Sequence, residues 1–130
     1  MLFRSMACAT SSRQGPAGEK LGAAGIGAFF ATVVTVDDVA APKPAPDPYL
    51  LACERLGVDP AATVAVEDSV TGATSAVAAG CRVLYVPSTE GQPDVDGART
   101  HPGLVGVDVA TLAALTSGVP VGGPVGQSGA

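Results

Sequence analysis

VAVEDSVTGATSAVAAGCRVLYV, residues 64–86, is the stretch that decides the fold. It opens on a small apolar run, continuous from Thr63 to Val66, and stops at two adjacent carboxylates, Glu67 and Asp68. After Ser69, residues Val70 to Ala79 read as a helix, with Val70, Ala73 and Val77 on one stripe and Gly80 as terminator. Arg82 to Val86 is a second apolar, β-branched run. Neither run alternates polar with apolar residues, which is how strands covered on both faces of a parallel sheet read. Gly72, Ala73 and Ala76 are small enough to let the helix lie close to that sheet. The stretch is a strand–helix–strand unit. Its acidic pair poses a question, because Asp68 or Ser69 could cap the helix and a cap would still leave Glu67 without a reason.

Working outward, Ser5–Ala9 and Ala31–Val36 (ATVVTV) give two more short strands. Asp47-Pro48 starts a helix, with the Asp as cap and the Pro in the first turn. That helix runs through PYLLACERL to Gly57 and carries Tyr49, Cys53 and Leu56 on one face. Strands and helices alternating at this spacing predict the α/β class, an open Rossmann-like parallel sheet with helices on both faces. After Pro87 the pattern weakens. Residues 88–103 read as a polar loop, 104–115 as a short strand and a last helix, and 116–130, rich in Gly and Pro, as a disordered tail. The chain divides into one domain over 1–115 and the tail over 116–130.

Apolar residues make up 47% of the 130 and aromatics 4%, with no Trp, so Ala, Val and Leu must fill the core. The net charge of −5 argues against nucleic acid as a partner, since phosphate backbones want a basic face. A cation, or a small anion carried with one, fits better. No stretch reaches the ~20 apolar residues of a membrane span, and MLFRSMACATSS is too weakly apolar for a secretory signal. The cytoplasm follows by elimination. Cys8, Cys53 and Cys81 are odd in number and far apart, which reads as buried thiols in a reducing compartment.

Open α/β sheets bind ligands beyond the carboxyl ends of their strands. Three polar clusters fall there. Thr10, Ser11 and Ser12 follow the first strand, Lys43 follows the second, and Glu67, Asp68 and Ser69 follow the third. Together they would suit Mg²⁺ on carboxylate oxygens and a phosphate on hydroxyls, amides and an ammonium. Taken singly, the hydroxyls could cap the next helix, and Lys43 could be an ordinary solvated lysine.

The order ATSS, KPAPDPYL, VEDSVTGATSAVAAG is similar to the second, third and fourth motifs of the haloacid dehalogenase superfamily, most closely its phosphatase and β-phosphoglucomutase branch. The resemblance covers roughly residues 5–115 and departs locally at Pro42, where the family usually has Gly. It implies a Mg²⁺-dependent hydrolase or mutase acting on small phosphorylated metabolites. Thr10 would bind phosphate, Lys43 would neutralise phosphoryl charge, and Asp68, supported by Glu67 directly or through water, would hold the metal. The resemblance also implies an Asp nucleophile in a DxDxT stretch on a central strand, followed by a cap domain, both upstream of ATSS. Neither is found in these residues. Asp94 and Asp96 have the DxD spacing but no strand before them. The reading is therefore the C-terminal half of such a core, with the sheet incomplete at its central first strand and no activity by itself. An open sheet edge would favour self-association, and a non-catalytic binding module is the alternative.

Overall fold

A computed structural model describes residues 5–25 and 27–117, the last three by their backbone alone. Strand β1 (Ala7–Ala9) leads through helix α1 (Gln14–Ala24) to β2 (Thr32–Val34). Helix α2 (Asp47–Leu56), β3 (Val64–Glu67), α3 (Val70–Ala79) and β4 (Arg82–Tyr85) follow, then β5 (Ala98–Thr100) and α4 (Val109–Ser117). All pairings are parallel. Ala7 lies opposite Thr32 and Ala9 opposite Val34, Val64 opposite Arg82, and Tyr85 opposite Thr100. The strands form two sheets, β1-β2 and β3-β4-β5, and among the described residues no backbone ladder joins them.

The helices carry the fold across that seam. Helix α2 lies on β1 and β2 and against α3, which covers β3 and β4. The α3 side facing inward is Ala73, Ala76 and Ala79, which meet Cys53, Val83 and Tyr85. Alanines at that interface allow the close approach that a core almost without aromatic side chains requires. Helix α4 also packs on β3 and β4. Val83, Leu84 and Tyr85 are all fully buried although successive residues of a strand face opposite ways. The sheet is covered on both faces at β4, as its apolar run predicts.

Strand β3 differs from that expectation. Val66 is 40% exposed while Ala65 and Glu67 are buried, because β3 is an edge of its sheet and α4, which sits mainly on β4, covers its second face only in part. Further corrections concern the elements and their boundaries. Asp47 is the first helical residue of α2, its side chain caps nothing, and the cap position is Pro46. The stretch read as loop, 88–103, contains β5, and of the short strand and helix expected within 104–115 only the helix, α4, forms. Helix α1, over the Gly- and Pro-containing QGPAGEKLGAA, has no clear apolar stripe and was not predicted. The start of the expected tail, Thr116 and Ser117, closes α4. Its remainder lies outside the described residues. The α3 boundaries and its αL terminator Gly80 are as read from sequence.

All three cysteines are free thiols. Burial, then the neighbouring Cys53, pushes the Cys81 thiol up to about 12.

Two local caps set the acid response. The Thr35 N–H, and also its hydroxyl, meet Asp38 Oδ2 at 2.9 and 3.1 Å, and the Thr35 backbone bond is the main reason that carboxyl lies below its ordinary value. Asp108 is lowered likewise by the Thr111 N–H at the start of α4. A carboxylate whose folded pKa is depressed contributes stability above its unfolded pKa and loses it as pH falls through the folded one. Melting temperature should therefore decline below about pH 4, with a shallower decline in Asp38→Asn. The same acid slope in both proteins would refute the role of this cap.

Candidate functional site

The site lies at the carboxyl ends of β1 and β3, on either side of the seam. Beyond β1, the Thr10 N–H continues the ladder to Val34 O at 2.9 Å. The Thr10 hydroxyl oxygen accepts from the Ser12 N–H at 3.0 Å and folds the ATSS turn on itself. Ser12 Oγ accepts from Lys20 Nζ at 3.2 Å, and Ser11 is exposed. None of these hydroxyls caps α1. Its cap position is Arg13, without a side-chain bond, and the Gln14 N–H is satisfied at 2.9 Å by Asp37 Oδ2, from 23 residues along the chain.

Lys43 is not a solvated surface lysine. Its side chain is 8% exposed, on a loop whose Lys43–Pro44 peptide is cis. The loop is tied down by Ser75 of α3, a fully buried residue whose hydroxyl donates to Ala45 O at 2.7 Å. From there the ammonium donates to Ala9 O at 2.9 Å and to Glu67 Oε2 at 2.6 Å. One side chain thus touches both sheets. The Tyr49 hydroxyl donates to the same Glu67 oxygen, and the Lys43 nitrogen stands 5.3 Å from the centre of the Tyr49 ring, within cation–π range. Burial, and next the Glu67 charge, push the Tyr49 phenol well above its usual value, so it remains a donor.

The two acids that adjoin in sequence part in space. Glu67 points inward, its side chain 8% exposed and paired with Lys43. Glu67 Oε2 is engaged by the ammonium and the phenol, so any part of Glu67 in holding a metal falls to its other oxygen. Asp68 points outward and is exposed. It does not cap α3 either: Ser69 does, its Oγ accepting from the Gly72 N–H at 3.0 Å. Among the described residues the Asp68 carboxylate has no hydrogen-bond or ion-pair partner, while its backbone oxygen accepts from the Ser88 N–H at 3.1 Å. Asp68 alone therefore fits a Mg²⁺ ligand, an ion that accepts one or two carboxylates and retains waters. No group of three His, Cys, Asp or Glu side chains comes together among the described residues.

Sequence reading missed Tyr49, Ser75 and the part played by Gly72. A Cβ on Gly72 would run into the Glu67 carboxylate, so the glycine makes room for Glu67 on the first turn of α3. The signal was present, since Gly within a helix costs up to about 1 kcal/mol against Ala and needs a reason.

A hydroxyl turn, a fixed ammonium and a free carboxylate thus stand at the strand ends of a parallel α/β fold. A model of the haloacid dehalogenase-like hydrolase family matches residues 3–80. The chain belongs to that family. It is 52% identical over 62 residues to Protein CbbY of Rhodobacter capsulatus, covering 48% of this chain and 27% of that protein. Pyrophosphatase PpaX of Bacillus velezensis is 45% identical over 76 residues, 58% of this chain and 33% of that one. The crystal structure of CbbY from Rhodobacter sphaeroides in complex with phosphate superposes with a TM-score of 0.76 at 31% identity, over 83% of this chain and 51% of that one. The chain spans about a quarter to a third of the curated relatives and half of the solved one.

The glycine yields a test. Gly72→Ala gives helix α3 a better helix former but forces the pinned Glu67 carboxylate to move. We expect a net loss of about 1–3 kcal/mol, the usual range for overpacking, measured by urea unfolding. Gly72→Ala/Glu67→Ala should recover much of it relative to Glu67→Ala alone. A single Gly72→Ala variant as stable as the parent would contradict the close approach.

Proposed function

We propose that these residues form the phosphate- and metal-binding part of a Mg²⁺-dependent phosphatase or phosphomutase for small phosphorylated metabolites. The observation that carries the reading is the Lys43 ammonium, held between Ala9 O and Glu67 Oε2, on the residues that immediately precede Thr10 and Asp68. The name of PpaX, a pyrophosphatase, and the phosphate in the CbbY crystal support the substrate class. The Thr10 hydroxyl accepts one bond within the turn and the Ser12 hydroxyl one from Lys20 of α1, and each keeps a proton to donate to a phosphoryl oxygen, as does exposed Ser11. Lys43 offers a charge-assisted donor. Asp68 would hold Mg²⁺, which when bound offsets negative charge at the phosphoryl group.

We infer that no carboxylate among the described residues is placed to attack, Asp68 being kept for the metal. Asp37 is engaged by Arg13 and Gln14, Asp38 by Thr35 and Arg55, and Asp94 by Thr100. Aspartyl-phosphate chemistry needs a free nucleophile in line with the phosphorus. We infer that the 130 residues alone bind and do not turn over, and that the nucleophile belongs on a strand in the β1/β3 seam. The two unjoined sheets support that placement. Exposed Val66 on the edge strand β3 favours a second reading, a binding module that self-associates through open edges. The free thiols suit a cytoplasmic location. No helix among the described residues is long and apolar enough to cross a membrane.

The test separates metal from cap. Mg²⁺ should bind weakly, and inorganic phosphate should bind better with Mg²⁺ present than without it. Asp68→Asn should abolish both effects with helix content unchanged, because Ser69 caps α3. The chain by itself should release no p-nitrophenol from p-nitrophenyl phosphate above the buffer blank. Equal Mg²⁺ affinity in the parent and Asp68→Asn, by calorimetry or Mn²⁺ relaxation, would refute the metal assignment. Turnover by the parent would show a nucleophile among residues 1–130.

A further inference from the structure

We propose that Tyr49 is a positioning residue for Lys43, holding Glu67 so that the ammonium keeps one N–H free for a ligand oxygen. The inference deepens the phosphate reading and rests on it for the identity of that ligand. An ammonium has three donors. Lys43 spends one on Ala9 O and one on Glu67 Oε2, which leaves one. Glu67 is buried, and a buried carboxylate short of donors recruits whatever donors lie near. Tyr49 supplies a second donor to the same oxygen from α2, so Oε2 is satisfied without drawing on the third proton of Lys43. Gly72 adds the complementary constraint from α3, since its missing side chain is the space the carboxylate occupies. The Tyr49 ring beneath the ammonium restricts it further. Two helices therefore fix a pair that belongs to neither, and the geometry of the free donor follows from both.

Tyr49→Phe removes the hydroxyl and keeps the ring. The vacated lone pair on Glu67 then draws in water beside the ammonium, or turns the carboxylate to take the third proton. Lys20 and Lys43 are the only lysines of the chain, so ¹⁵N spectra of lysine ammonium groups give two signals, assigned by Lys20→Arg. We expect the Lys43 signal to persist near neutral pH in the parent and its protons to exchange with water at least about tenfold faster in Tyr49→Phe. Phosphate affinity with Mg²⁺ present should fall about tenfold in the same variant, while Mg²⁺ affinity without phosphate stays unchanged. A purely structural tyrosine would not divide phosphate from Mg²⁺ in this way. Unchanged ammonium exchange in Tyr49→Phe overturns the proposal, as does unchanged phosphate affinity in a parent that binds phosphate. Faster exchange in a parent that binds no phosphate upholds the hold of Tyr49 on Lys43 and refutes the phosphate reading instead.

Discussion

The ion pair between Lys43 and Glu67 is the constraint on which the rest of the site depends. It joins two sheets that share no backbone ladder among the described residues, since the ammonium also reaches the last carbonyl of β1. A buried pair is not by itself a strong stabiliser, because desolvating both charges offsets much of their attraction. Removing one partner is what costs, about 3–5 kcal/mol, by leaving the other buried and uncompensated. A chain filling its core mainly with Ala, Val and Leu could have closed this gap with apolar side chains. That a charge pair stands there, with a donor from Tyr49 and a space made by Gly72, agrees with a site that needs a fixed positive group more than it needs stability.

The adjacent acids divide their work by strand geometry. Consecutive residues at the end of β3 face opposite ways, so a carboxylate directed at α2 and α3 is followed at once by one directed at solvent. The inward one meets Lys43, and the outward one stands exposed, free for the cation proposed above. Ser69, not Asp68, caps α3, which leaves the Asp68 carboxylate free. A pair that looks redundant in sequence thus serves two distinct ends.

Much of this could be read from the sequence where packing and local signals agree. Helix α3 and its Gly80 terminator, α2 with its Gly57 terminator, and the apolar β4 were legible because periodicity, terminators and burial point the same way. The short β5 was not, since Ala-Arg-Thr has no apolar pattern and becomes a strand only by pairing with β4. Helix α1 was not, since its N-terminus is satisfied by Asp37 from a distant loop. The positions of Thr10, Lys43, Glu67 and Asp68 at the strand ends were legible from motif order. The Tyr49 hydroxyl was hidden by the helical stripe that already explained its ring, and Gly72 by the general need for small residues on α3. A residue with one sufficient reason gives no sign in sequence of a second.

The most direct test of the central pair is a double-mutant cycle with Lys43→Met and Glu67→Leu, read by urea unfolding. Each single variant should lose about 3–5 kcal/mol, and the double variant should lose less than either, because it leaves no buried charge unpaired. Single losses within about 0.5 kcal/mol of zero that simply add in the double variant would contradict the account.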